Sequence, residues 1–202
     1  MKGLFITFEG IDGSGKSTQA MLLKDRFNQL NRPVVFTKEP GGTPLGKKIR
    51  EILLNDNMNP VSEFLLFAAD RKEHAKKIIV PSLSNGKIVI SDRFADSSVA
   101  YQGFGRGVPI DFINFVHQNI LSGLKPDLTF IVDISPEIGL RRLAEKDRIE
   151  RGGINFLRKV REGYLELAGQ DKRFVVIDGT VASEKVANSI WEFISRWEIS
   201  NG

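Results

Sequence analysis

Gly10-Ile11-Asp12-Gly13-Ser14-Gly15-Lys16-Ser17-Thr18, entered from the apolar run Leu4-Phe5-Ile6-Thr7-Phe8, decides how the rest of the chain is read. A glycine, four residues and then Gly15-Lys16-Ser17 is the pattern of a phosphate-binding loop. In such loops backbone N–H groups wrap phosphate oxygens, the lysine reaches the terminal phosphates and the hydroxyl ligates magnesium. Glycines are needed because the loop turns tightly and lays its backbone against the ligand. The flanks agree with this reading. Leu4 to Phe8 has the apolar character of a strand buried on both faces, and beyond Lys16 the residues Ala20, Leu23, Phe27 and Leu30 recur at helical spacing. A helix N-terminus placed there favours anions. The segment Gly10 to Thr18 therefore predicts a nucleoside triphosphate site, with Ser17 on the metal, and leaves the reaction open.

Composition sets the outer bounds. The chain has 202 residues, of which 41% are hydrophobic and 27% charged, which suits one globular domain with a full core. A net charge of +4 is compatible with anionic small substrates, and the Lys and Arg residues are scattered rather than clustered, so no nucleic-acid partner is expected. The absence of cysteine excludes disulfides, thiolate metal sites and cysteine nucleophiles. Met1-Lys2-Gly3 leads straight into a core strand, with no signal-peptide pattern and no apolar run of bilayer length. A cytoplasmic protein without membrane contact is the expectation.

Working outward from the loop, Asn31-Arg32-Pro33 breaks the first helix, and Val34-Val35-Phe36 is a short second strand closed by Glu39-Pro40-Gly41-Gly42. Thr43-Pro44 starts a helix through Leu54, and Pro60 starts a long one toward Pro81. Ser84-Asn85-Gly86 turns the chain into a third buried strand, Lys87 to Ser91, which ends at Asp92-Arg93. Residues 94–110, with Gly103, Gly105 and Gly107, predict a loop or broken helix, followed by a helix from about Asp111 to Leu121. Leu128 to Asp133 is the fourth strand, and Pro136 opens a helix to about Glu145. A charged stretch, Lys146 to Gly153, precedes a helix marked by Ile154, Leu157, Val160, Tyr164 and Leu167. Phe174 to Ile177 is the fifth strand, and Val186, Ile190, Phe193, Ile194 and Trp197 mark the last helix.

Strands alternating with helices imply an α/β chain: a three-layer P-loop NTPase fold, with a five-stranded parallel sheet covered by helices on both faces. Such sheets bind ligands at the carboxyl ends of their strands. That rule selects Glu9 to Ser17, Thr37 to Gly42, Ser91 to Gln102, Asp133 and Asp178 to Val181. Phosphoryl transfer needs positioning and charge neutralisation, and so calls for a P-loop, a magnesium carboxylate and arginines. Asp92 is placed for the metal. Arg93 is placed for the phosphate of an acceptor monophosphate, and the more distant Arg71 is a candidate whose competing reading is a solvated helix face. Phe64, Leu65 and Phe67 read as core on periodicity alone. His74 and His117 lack partners at metal spacing and read as structural.

Several segments together resemble the thymidylate kinase family. They are Glu9 to Gly13, Thr37-Lys-Glu39-Pro40-Gly41-Gly42-Thr43, Phe67-Ala-Ala-Asp70-Arg71, Asp92-Arg93-Phe94, Ser97-Ser98-Val-Ala-Tyr101-Gln102-Gly103, Lys125 to Leu128, Asp147-Arg148-Ile149-Glu150, and Tyr164 to Ala168 ahead of Asp178. The Glu-Pro-Gly-Gly and Asp-Arg-Ile-Glu pieces are similar to its bacterial branch. The resemblance spans nearly the whole chain. It implies one nucleoside monophosphate kinase domain over 1–202, a lid at 146–153, a homodimer, and transfer of the ATP γ-phosphate to dTMP with Mg²⁺. It also implies residue roles. Phe67 stacks on thymine; Arg71, Ser98 and Gln102 serve the base edge; Glu39 and Pro40 belong to the acceptor site. Tyr101 lies against the deoxyribose, Arg93 grips the acceptor phosphate, and Asp12 approaches the 3′-hydroxyl and the metal region. Lys16 and Arg148 act on the transferred phosphoryl group, Arg148 because no arginine stands between Ile11 and Ser14, with Arg151 behind it. Arg142, Thr180 and Val181 fall on the adenine side. Ser98 stands where the family often has Thr or Asn.

Two other readings stay open on the residues alone. One is a kinase for a different monophosphate on the same scaffold. The other is a nucleotide switch, which needs a guanine reader such as Asn-Lys-x-Asp, and that tetrapeptide is absent from the chain.

Overall fold

The computed structural model describes residues 3–143 and 153–201. Its centre is a parallel sheet of β1 (Leu4–Glu9), β2 (Val34–Lys38), β3 (Ile88–Asp92), β4 (Leu128–Asp133) and β5 (Phe174–Asp178), in the order β2-β3-β1-β4-β5. The P-loop strand is therefore central, with Phe8 paired to Asp92 on one side and to Phe130 on the other. All strands run the same way, so the segments selected by the strand-end rule gather on one edge.

Because side chains alternate along a strand, each face of the sheet has its own inventory. Ile6 and Phe8 face α1 (Lys16–Gln29) and α9 (Ser183–Asn201), packing with Ala20, Leu23, Phe27, Val186, Ile190 and Ile194. Phe5, Thr7 and Glu9 face the other way. That second face carries Phe94 and Ile79 beside Phe5, and α8 (Gly153–Gln170) with Leu157, Val160 and Tyr164 beside Ile131. The helical layers on both faces match the α/β expectation.

The helix starts follow local chemistry. Thr43 caps α2 (Pro44–Asn55), Asn59 caps α3 (Pro60–His74) and Ser135 caps α7 (Pro136–Arg142), each with proline at the start of the helix. The long helix expected toward Pro81 is α3, a π-helical turn Ala75–Ile79, and α4 (Val80–Ser84). The broken helix expected at 94–110 is α5 (Ala95–Ser98) and a π-helical segment Val99–Gly105 ahead of α6 (Ile110–Leu121). Two periodicity expectations fail. Leu30, just past the end of α1, is 53% exposed because Asn31 takes φ 54° and turns the chain away, and Leu65 on α3 is 46% exposed. Helix α7 ends at Arg142, residues 144 and 145 lie outside the described residues, and Gly153 opens α8. Among the described residues no helix is long and apolar enough to cross a membrane.

Candidate active site

The loop between β1 and α1 is held open by positive φ at Gly10, Gly13 and Gly15, values of 137°, 78° and 91° that L side chains rarely adopt. Lys16 folds back into it, its Nζ 3.3 Å from Asp12 Oδ1 and 3.5 Å from the Ile11 carbonyl. Helix α7 braces the loop from behind. A Cβ on Gly13 would fall 2.4 Å from the Gly139 carbonyl oxygen, so only two glycines allow this approach. Ser17 Oγ donates to Asp92 Oδ2 at 2.5 Å, while Asp92 Oδ1 is buried without a hydrogen bond. A hydroxyl beside a carboxylate with unused acceptor capacity suits a hard cation. Among the described residues no cluster of three or more His, Cys, Asp or Glu could hold a metal.

Asp12 is the hinge of the arrangement. Its Oδ1 receives Arg93 Nη2 as well as Lys16, and its Oδ2 receives Tyr101 Oη at 2.7 Å. Burial opposes charge on this carboxyl, but Arg93 and Lys16 outweigh it and hold its pKa well below the usual carboxylate range. Arg93 itself has φ 74°, a left-handed conformation that turns its side chain back over the loop. Its Nη1 reaches the Gly10 carbonyl, Ser97 Oγ and Tyr164 Oη, each at 3.3 Å, and the guanidinium lies 4.9 Å over the Tyr101 ring.

Beyond Asp12 and Arg93 opens a cleft of about 100 Å³, walled by Glu39, Pro40, Phe67, Ser98, Tyr101 and Gln102. Phe67 is half-buried on its wall, so the reading of this ring as core gives way to a cleft position, whereas Phe64 is fully buried. The solvated reading of Arg71 is overturned outright: the side chain is 1% exposed. It donates from Nε to Glu39 Oε2 at 2.8 Å, from Nη1 to Ser98 Oγ at 3.0 Å and His117 Nε2 at 2.9 Å, and from Nη2 to the Phe94 carbonyl at 2.9 Å. It thus stands behind the cleft wall and ties Ser98 to Glu39. Since arginine can only donate, His117 Nε2 must be the unprotonated nitrogen; burial and the adjacent Arg71 push its pKa down to about 3. His74 is structural too, with Nδ1 2.8 Å from Glu39 Oε1 and Nε2 2.6 Å from Thr37 Oγ1. Gln102 donates to Glu63 Oε1 at 3.0 Å.

On the other side of the loop, a cavity of about 190 Å³ is lined by Gly15, Thr18, Arg142 and Val181 among others. Arg142 Nη1 reaches the carbonyls of Gly179 at 3.2 Å and Gly13 at 3.4 Å. Thr180 N–H and hydroxyl both donate to Asp178 Oδ1, at 2.8 and 2.6 Å, so Thr180 faces a ligand as an acceptor, through its carbonyl and its hydroxyl oxygen. Arg148, Arg151 and the stretch 146–152 lie outside the described residues.

The thymidylate kinase family model matches residues 8–190. The thymidylate kinase of Halothermothrix orenii is 47% identical over 199 residues, covering 95% of this chain and 96% of that one, and that of a Sulfurihydrogenibium species is 50% identical, covering 89% and 90%. The chain belongs to the thymidylate kinase family. The crystal structure of thymidylate kinase from Ehrlichia chaffeensis overlays with a TM-score of 0.81 at 37% identity, covering 96% of this chain and 99% of that one.

Within this thymidylate kinase family chain, three sets of residues to which the sequence assigns no individual role are brought to the site by the fold. Arg50, Leu53 and Ser97 line the acceptor cleft. Arg50 Nη1 lies 3.3 Å from the Pro40 carbonyl. The second set is Glu9 with Tyr164, described below. The third is Asp70, buried between α2 and α3, where burial and neighbouring Glu39 raise its carboxyl to about 6. Their only signal was polarity in apolar surroundings, which Glu9 after Phe8 does display.

Proposed function

We propose that the P-loop and the acceptor cleft are two halves of one phosphoryl-transfer site, in a chain that phosphorylates dTMP to dTDP with ATP as its family does. The observation carrying this reading is that Lys16 of the loop and Arg93 and Tyr101 of the cleft share the single carboxylate of Asp12. Two phosphates drawn to these cations would meet there. Transfer asks for alignment and charge neutralisation more than for covalent chemistry. In this reading the Gly10 to Thr18 backbone and Lys16 hold ATP, and Arg93 grips the acceptor phosphate. Asp12 keeps both cations in register and takes the 3′-hydroxyl of the sugar. Phe67 stacks on thymine above Glu39 and Pro40; Arg71, Ser98 and Gln102 serve the base edge, and Tyr101 crowds the position of a 2′-hydroxyl. Ser17 and Asp92 would hold Mg²⁺, which when bound supplies positive charge to phosphate oxygens. Arg142 and Val181 serve the adenine side.

The same reading takes the chain as one kinase domain working in the cytoplasm, without nucleic-acid or membrane partners, as a homodimer through α3 and α6. Exposed Val61 and Leu65 on α3, and Phe112 and Phe115 on α6, support that interface, with Phe115 63% exposed. Sedimentation at a monomer mass would remove the dimer.

ADP release with ATP and Mg²⁺ against dTMP, dUMP, UMP, CMP, AMP and GMP at equal concentration tests the assignment. Strong preference for dTMP is expected, with dUMP poor rather than inert, because one methyl in an apolar pocket contributes only about 1–3 kcal/mol. Preference for another monophosphate would discard the base-edge roles of Ser98 and Gln102 and the sugar role of Tyr101.

A further inference from the structure

Glu9 ends β1 on the face that carries Phe5 and Thr7, and it is completely buried. It receives three donors: the Phe94 N–H at 2.7 Å, Ser97 Oγ at 2.5 Å and Tyr164 Oη at 2.8 Å. None of these comes from the P-loop. All surround Arg93, which immediately precedes Phe94, and Ser97 Oγ and Tyr164 Oη are the two hydroxyl oxygens 3.3 Å from its Nη1.

Donor and acceptor rules constrain these bonds, and Ser97 Oγ and Tyr164 Oη also lie 3.0 Å from each other. A guanidinium has donors only, so to hold Nη1 both hydroxyls must present lone pairs, and their hydrogens must go elsewhere. An ionised carboxylate accepts from several donors at once and takes both, while its third bond pins the backbone just after the left-handed Arg93. A neutral amide in the same place would set its NH2 either against both hydroxyls, which bond Oε2, or against the Phe94 N–H, which bonds Oε1. The charge is held at a cost. Burial pushes the Glu9 carboxyl up to about 7, Asp96 on α5 adds to this, and Arg93 with the two hydroxyls opposes it; Arg173, paired to Asp96 at 2.7 Å, also faces this group.

We infer that Glu9 is a positioning residue for the acceptor phosphate: through Ser97, Tyr164 and the Phe94 N–H it fixes the orientation of the Arg93 guanidinium. The inference rests on the reading of Arg93 as the grip on that phosphate.

Glu9→Gln, Tyr164→Phe and Arg93→Ala, assayed for KM of dTMP and of ATP separately, test it. Glu9→Gln is expected to raise KM for dTMP about tenfold, the kinetic equivalent of one lost charge-assisted bond, with KM for ATP within twofold of wild type. A general loosening of the fold would move both. Tyr164→Phe removes a single hydroxyl from the same chain and is expected to raise KM for dTMP severalfold, which keeps the test decisive should Glu9→Gln not fold. If Arg93→Ala raises KM for dTMP while neither Tyr164→Phe nor a folded Glu9→Gln does, Glu9 has no positioning role although Arg93 keeps its own. If Arg93→Ala leaves KM for dTMP unchanged, the reading of Arg93 fails and the inference falls with it.

Discussion

Replacing Arg71 by alanine removes a guanidinium that four buried acceptors share: Glu39 Oε2, Ser98 Oγ, His117 Nε2 and the Phe94 carbonyl. The Arg71 and Glu39 side chains are 1% and 2% exposed, so water cannot take over. Breaking a buried ion pair from one side costs about 3–5 kcal/mol, because the remaining charge stays desolvated. For a chain of about this size each kcal/mol moves Tm by roughly 2–4 °C, so Arg71→Ala should melt roughly 6–20 °C below wild type. A surface arginine would shift it by about 4 °C at most. Calorimetry or thermal circular dichroism reads the difference directly. The double variant Glu39→Gln with Arg71→Met separates lost attraction from stranded charge. It should recover a substantial part of the loss, since it removes both charges and leaves neither buried without its partner. An Arg71→Ala protein melting within about 4 °C of wild type would refute the reasoning, as would a double variant less stable than either single one.

Three further expectations follow from particular contacts. His117 is neutral in the fold with a pKa near 3, against 6.5 when unfolded, so only the unfolded chain takes its proton as pH falls. This residue should therefore cost about 1.4 kcal/mol per pH unit between pH 6.5 and 4, and urea unfolding of His117→Gln should lack that slope; parallel slopes would contradict the assignment of its proton. Gly139→Ala would place a Cβ 2.6 Å from the Asp12 carbonyl oxygen, a backbone atom that cannot rotate away. A loss of about 1–3 kcal/mol together with a raised KM for ATP is expected, and an unchanged KM would show that α7 does not brace the loop. Phe67→Ala should raise KM for dTMP roughly tenfold, as lost base stacking does, with less loss of stability than the 3–5 kcal/mol or so expected of the buried Phe64→Ala. Wild-type KM would return Phe67 to a packing role.

What could be read from the chain beforehand has a common physical character. The P-loop, the capped helices with their starting prolines and the five apolar strands are local: each is written in a few consecutive residues whose conformation they dictate. The failures are of two kinds. Leu30, Leu65 and Phe67 show that an apolar residue at the right period need not be inside, because periodicity names a face and only the neighbouring element decides whether that face is covered. Arg71 and Glu9 show the converse. Their burial depends on acceptors and donors collected from distant segments: Glu39, Phe94, Ser98 and His117 for the one, and Phe94, Ser97 and Tyr164 for the other.

A buried charge is tolerable only where its partners converge, and in this sheet convergence happens at the carboxyl edge. Glu9, Asp12, Glu39, Arg71 and Arg93 all lie there or directly behind it, whereas the face packed by α1 and α9 is apolar. Every arginine in the group is a pure donor held by oxygens or by a neutral imidazole, so each site is oriented before any phosphate arrives and need not reorganise to receive it. The desolvation this demands is met by the apolar packing elsewhere in the same fold. Residues that looked unremarkable or misplaced along the chain therefore mark where stability has been given up for orientation.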